Sequence, residues 1–314
     1  MRIALVATPF TDHNLQLASQ IGVTDIVIRY PGCRIEDIEP LCQQVIRHGM
    51  KISVVEGYLP IEKVVLGQDG YRAQLEELAQ LVRSMGALGV GVLCYNWMGL
   101  TDWTRTSFGT PGRGGALCSE FDLAQTEALG PIEGGVSTAA LWENLERFLE
   151  YMLPVAEASG VALAMHPDDP PLSPLRGLER IMIDAEAFER LVDLAPSPAN
   201  GICFCQGNFA AMGVDIPATI RRLGPHIRFA HIRDVRGDRT RFVETFHDEG
   251  KTDMRACMQA YKDIGFEGVL RPDHVPTMTG DDNENPGYSS IGRLFAIGYI
   301  KGLREAIYEE KGER

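Results

Sequence analysis

Eight short apolar runs alternate with eight segments of helical periodicity along 314 residues, and few architectures accommodate such a pattern. The runs fall near residues 3–7, 24–29, 51–56, 90–95, 161–166, 201–205, 227–232 and 268–272. Helical spacing of apolar residues fills the intervals near 13–21, 35–48, 71–86, 140–159, 186–194, 215–223, 253–264 and 290–310. Runs such as DIVIRY and KISVVE are continuously apolar instead of alternating, as strands buried on both faces of a parallel sheet are. Eight βα units closing into one (β/α)₈ barrel over residues 1–314 is the economical α/β solution. Within EELAQLVRSMGALG, Leu78, Leu81, Val82 and Met85 share one helix face, and Gly86 stands where helices commonly end. The glycine-rich stretch 100–137 breaks the rhythm. A connection that long is usually functional, and we expect a loop or lid over the barrel mouth.

Charge and cysteine usage exclude several partners. A net charge of -13 offers no basic surface for nucleic acid, and no apolar stretch approaches the roughly 20 residues of a membrane span. The opening MRIALVATPF enters a strand at once, without the features of a secretory signal, so a cytoplasmic location is expected. Seven irregularly spaced cysteines form neither a disulfide framework nor a zinc ribbon. The tail EEKGER is expected to be frayed and solvated.

Four of the apolar runs end on residues with metal-binding chemistry. His166 closes VALAMH, Cys205 closes GICFC, His231 lies in IRFAHIR and Asp273 follows GVLRP. The C-terminal ends of barrel strands are where such enzymes place their sites, and a thiolate, two imidazoles and a carboxylate suit a divalent transition ion. Cys203 and Cys205 share one strand face, so parity does not choose between them. Cys205 is nearer the strand end and begins the CQGN turn. Asp273, directly after an apolar strand, is costly to bury unless paired or metal-bound.

Longer motifs surround these four. The stretches YNWM from Tyr95, DWTRT from Asp102, HPDDPP from His166, CQGN from Cys205, FAHIRDV from Phe229, FVETFHDEG from Phe242, RPDH from Arg271 and NPGYSSIGRLFAIGYIKGLREAI from Asn285 resemble, in order, those of the mannonate dehydratase family. The resemblance runs from about residue 50 to the C-terminus. It implies a metal-dependent TIM barrel of the xylose-isomerase-like kind, acting on a small sugar acid and assembling as a homo-oligomer, dimer or higher. The implied reaction is dehydration of D-mannonate to 2-keto-3-deoxy-D-gluconate with manganese or ferrous iron, held by His166, Cys205, His231 and Asp273. The chain departs from the family pattern in its first strand, at Asn208 where a serine is usual, and after RPDH, so another aldonate is an alternative substrate. A metal-dependent sugar isomerase or epimerase on the same barrel is a second alternative, and a sugar-acid binding protein a third.

Dehydration requires moving one proton from the carbon beside a carboxylate and another to a departing hydroxyl. His274 and Tyr288 are the candidates for base and acid, in either assignment; otherwise His274 orients Asp273 and Tyr288 packs its loop. Arg105, Arg233 and Arg271 are expected to bind the substrate carboxylate, the alternative for each being an ion pair with Glu244 or Glu56. Asn96 and His247 would contact sugar hydroxyls and Trp103 an apolar face of the sugar chain.

Overall fold

Twelve strands run along the described residues: β1 (Arg2–Val6), β2 (Asp25–Ile28), β3 (Lys51–Glu56), β4 (Val92–Tyr95), β5 (Ser107–Pro111), β6 (Leu117–Asp122), β7 (Ala162–Met165), β8 (Asn200–Cys205), β9 (Ile227–Ile232), β10 (Val235–Asp238), β11 (Arg241–Glu244) and β12 (Val269–Pro272). They belong to a computed structural model that describes residues 1–308; the tail expected to be solvated, EEKGER, lies outside the described residues. Eight strands close into a parallel barrel in the order β1-β12-β9-β8-β7-β4-β3-β2, and they are the eight apolar runs. Closure is direct: β1 pairs in parallel with β12 through Arg2–Val269 and with β2 through Ala4–Asp25.

Period two sorts each strand between two cores. One parity faces the barrel axis, where Ala4, Val6, Val27, Val54, Cys94, Ala164, Cys203, Phe229 and Val269 form a compact apolar cluster. The other parity faces the helices: Ile3, Leu5, Ile26, Ile28 and Val55 join a larger cluster with Leu78, Leu81, Val82 and Met85 of the helix Tyr71–Ala87, and a register shift between β2 and β3 lets Ile52 join the same cluster. Capping fixes where several helices start. Thr11, Ser137, Asp184, Asp215 and Asp253 each accept a backbone N–H three residues on, satisfying a donor that the first helical turn leaves free.

The stretch 100–137 is not a structureless loop. It holds β5, β6 and the helix Leu123–Glu127, and β6 pairs antiparallel with β11, giving a four-stranded sheet in the order β10-β11-β6-β5. Two long crossovers, one after β4 and one after β9, thus support each other beside the barrel. Periodicity did not show this sheet because its strands are short, β5 is largely exposed, and β6 finds its partner some hundred residues later along the chain. The helices Glu62–Leu66 and Gln206–Met212 were also missed, being shorter than two turns of readable pattern.

Candidate active site at the barrel mouth

One pleat beyond the apolar interior layer, the same inward parity turns polar. Val27 is followed two residues on by Arg29, Val54 by Glu56, Cys94 by Asn96, Ala164 by His166, Cys203 by Cys205, Phe229 by His231 and Val269 by Arg271, with Asp273 one further step along. The barrel floor is therefore dry, and the charged layer sits at the C-terminal ends of the strands.

Ligand atoms of His166, Cys205, His231 and Asp273 all lie within 4.8 Å of one another. His166 Nδ1 lies 2.7 Å from the Pro167 carbonyl, so this nitrogen carries the proton and Nε2 keeps its lone pair. His231 is buried and neither ring nitrogen has a hydrogen-bond partner; Nε2 is 3.5 Å from Glu56 Oε2 and Nδ1 3.8 Å from Asp273 Oδ2. Burial pushes the Cys205 thiol well up and lowers His166 to about 4, so without a cation the thiol is protonated and the imidazole neutral. Burial also opposes ionisation of Asp273, but His274, Arg271, His231 and Arg233 together hold it well below the usual carboxylate range. A buried imidazole without partners, beside a thiol and an ionised carboxylate, is an arrangement that a divalent transition ion would satisfy.

The three arginines expected to face substrate are committed to carboxylates instead. Arg105 bridges Asp169 (Nη1–Oδ1 2.8 Å) and Glu244 (Nη2–Oε1 2.5 Å), with no side-chain area exposed. Arg233 donates to Asp169 at 2.8 Å, Asp273 at 3.2 Å and Asn208 at 2.6 Å. Arg271 pairs with Glu56 at 2.5 Å and Asp273 at 2.9 Å. The ion-pair alternative is what the structure contains, because unpaired guanidinium groups at this depth would be too costly. Asn208 Oδ1 is thereby the neutral acceptor of Arg233 Nη2. His247 likewise turns away: its Nε2 meets the Ile232 carbonyl at 2.6 Å, and it does not line the cavity.

Asn96, Trp103, Arg271, His274 and Tyr288 do line the cavity, together with His166 and Asp273. The cavity is open to solvent. His274 Nδ1 lies 2.7 Å from Glu244 Oε1, so an Nδ1–H donates to the carboxylate and Nε2 is the ring nitrogen not engaged by Glu244. Glu244 is held down to about 2: burial raises it, but Arg105, His274 and Arg233 outweigh that. Trp103 packs on the His274 ring at 4.4 Å and Tyr288 meets it edge-on at 5.3 Å. Burial raises the Tyr288 hydroxyl to about 12, so it is a donor at neutral pH.

Two functional residues escaped sequence reasoning. Arg29 lines the cavity with its side chain 21% exposed, its Nη1 on Glu56 at 3.1 Å, its Nε without a partner, and its guanidinium 5.0 Å from the Tyr288 ring centre. The signal was present: Arg29 stands two residues past the inward Val27. Asp169, which joins Arg105 to Arg233, is the last residue of HPDD, just before the cis bond to Pro170, and has no periodic signal at all.

Comparison with known proteins is consistent across three routes. The D-mannonate dehydratase family model matches residues 11–133 and 132–314, extending the resemblance well before residue 50. A mannonate dehydratase of Streptococcus agalactiae is 32% identical over 333 aligned positions, covering 95% of both chains. That of Shouchella clausii is 34% identical over 318, covering 89% of this chain and 87% of the relative. The crystal structure of mannonate dehydratase from Streptococcus suis superposes with a TM-score of 0.90 at 32% identity, over 100% of this chain and 96% of that one. An L-ribulose 3-epimerase structure, at 15% identity and TM-score 0.67 over 100% and 99% of the two chains, shares the fold.

Proposed function

The chain belongs to the D-mannonate dehydratase family, and we propose that it is a hydro-lyase converting D-mannonate to 2-keto-3-deoxy-D-gluconate and water. The observation that carries this reading is a cluster of four metal-capable donors within 4.8 Å, two of which, His166 and Asp273, line one cavity with Tyr288 and with His274, itself paired to Glu244. We assign His166, Cys205, His231 and Asp273 as ligands of manganese or ferrous iron. When bound, such an ion supplies Lewis acidity toward the substrate carboxylate.

The chain's own residues handle the protons. His274 Nε2, freed by the Nδ1–H bond to Glu244, takes the proton from the carbon beside the carboxylate. Glu244 then faces the resulting imidazolium at 2.7 Å and stabilises it, the role of the third member in triads of this logic. Tyr288, protonated at neutral pH, donates to the departing 3-hydroxyl, which leaves as water; the enol so formed becomes the 2-keto acid. Arg29, whose side chain is more exposed than those of the other three paired arginines, is assigned to the substrate carboxylate, supported by its place in the cavity wall and its unpartnered Nε. Asn96 and Trp103 are assigned to the sugar chain, on their position in the cavity wall.

The seven unpaired cysteines agree with a reducing, cytoplasmic setting, and no helix among the described residues is long and apolar enough to cross a membrane. A homo-oligomer, dimer or higher, completes the proposal. Incubating manganese- or iron-loaded protein with D-mannonate, other aldonates and ketoses tests it. Formation of 2-keto-3-deoxy acid from D-mannonate is the expected result; turnover restricted to another aldonate or to ketoses overturns the substrate assignment.

A further inference from the structure

Directly below the mouth lies a second group of donors that the dehydration mechanism does not use. Sulfur atoms of Cys94 and Cys203 and a ring nitrogen of His231 all lie within 4.8 Å of one another. Cys94 is near the end of β4 and Cys203 within β8, both on the inward parity of the dry layer. All three residues are at most 1% exposed. Cys94 nonetheless forms part of the cavity wall, so an ion entering from the mouth reaches it.

We propose that Cys94, Cys203 and His231 form a second cation site, selective for thiophilic d¹⁰ ions such as cadmium and zinc, which competes with the ion at the mouth because both sites need His231. Softness argues for the class: two thiols and an imidazole favour zinc-like ions, whereas a carboxylate among the ligands suits manganese or iron. Charge argues for feasibility. A dication that displaces one proton from each thiol adds no net charge to an apolar layer of Ala4, Val6, Val27, Val54, Ala164, Phe229 and Val269. Geometry agrees, since two sulfurs bound tetrahedrally at about 2.3 Å stand about 3.8 Å apart, inside the observed limit. Buried cysteines are often no more than small apolar residues. Here the unpartnered imidazole of His231 lies between the thiols of one layer and the donors of the next, and it can serve either set.

The proposal stands whether or not the chain dehydrates mannonate, and its test does not depend on turnover. Chelator-treated full-length Cys205→Ala protein, in which the mouth lacks its thiol, is titrated with cadmium ion and followed by the ultraviolet thiolate-to-cadmium band. One tight equivalent with a two-thiolate band is expected, together with a rise in melting temperature, and both disappear in Cys205→Ala/Cys203→Ala. Cys205→Ser replaces Cys205→Ala should the latter not fold, and Cys94→Ser gives the same loss from the other sulfur. A cadmium band absent from Cys205→Ala, or unchanged by removing Cys203, overturns the second site.

Discussion

Replacing Glu244 by Gln isolates the contribution of one charge to proton abstraction. The amide keeps the size of the side chain and an oxygen that can still accept from His274 Nδ1–H, now without the negative charge that sits 2.7 Å from the ring. A hydrogen bond between charged partners contributes about 1.5–3 kcal/mol, and here the charged partner, imidazolium, exists only after the proton has moved. The loss therefore falls on the transition state, and at about 1.4 kcal/mol per factor of ten it lowers kcat by roughly 10- to 150-fold with KM within about twofold. Folding is spared the full effect because Arg105 keeps its two bonds to Asp169, at 2.8 and 3.0 Å. Steady-state kinetics on D-mannonate, the isotope effect with substrate deuterated at carbon 2, and metal content read the three consequences separately: lower kcat, a larger isotope effect, unchanged metal. A kcat within threefold of the parent, or a loss confined to KM, would refute the role of Glu244 as the partner of a basic His274.

Other perturbations test the remaining assignments. Tyr288→Phe keeps the ring contact with His274 and removes the proton donor, so kcat falls by about 10²–10⁴ at unchanged melting temperature; a near-normal kcat assigns the acid elsewhere. Arg29→Met raises KM for the aldonate by at least about tenfold, read from initial rates, and a KM unaffected by the change removes Arg29 from carboxylate binding. Asp169→Asn leaves Arg105 and Arg233 short of a buried partner; with Glu244, Asp273 and Asn208 still in place, the loss is about 3 kcal/mol, the lower end for such pairs, seen as a drop of several degrees in melting temperature. Burial lowers both His166 and His247 to about 4, below the unfolded value near 6.5. Metal-free protein keeps their full contribution above about pH 6.5 and loses it as pH falls toward 4, because the unfolded chain binds protons that the folded one refuses. Melting temperatures between pH 7 and 4.5 read this slope, and His247→Gln flattens it.

The barrel was legible because a parallel sheet covered on both sides writes itself as uninterrupted apolar runs, as in DIVIRY and KISVVE. His166, Cys205, His231 and Asp273 were legible for the same reason, each ending such a run. What parity conveyed only in part was the fate of the arginines. Arg233 and Arg271 were placed inward, but apart from Asp273 their carboxylate partners come from β3, from the 169 region and from β11, and the choice between substrate and structural carboxylate is made largely by that distant chain. The β5-β6-β11-β10 sheet stayed hidden because its strands carry little hydrophobic pattern and its pairing is non-local. Arg29 carries only one signal, its parity with the inward Val27 at the end of an early strand, and no motif surrounds it.

The paired arginines bear on which substrates the mouth tolerates. Four guanidiniums, of Arg29, Arg105, Arg233 and Arg271, face four carboxylates, of Glu56, Asp169, Glu244 and Asp273, so the layer is electrically balanced before anything binds. With neutral imidazoles, a dication and the Cys205 thiolate would leave a single positive charge in a poorly solvated space. An aldonate monoanion cancels that charge, whereas a neutral ketose of the same size leaves it standing. Preference for an acid over a sugar would then be a property of valence as much as of shape, and it would persist in variants that reshape the cavity wall without altering its charge.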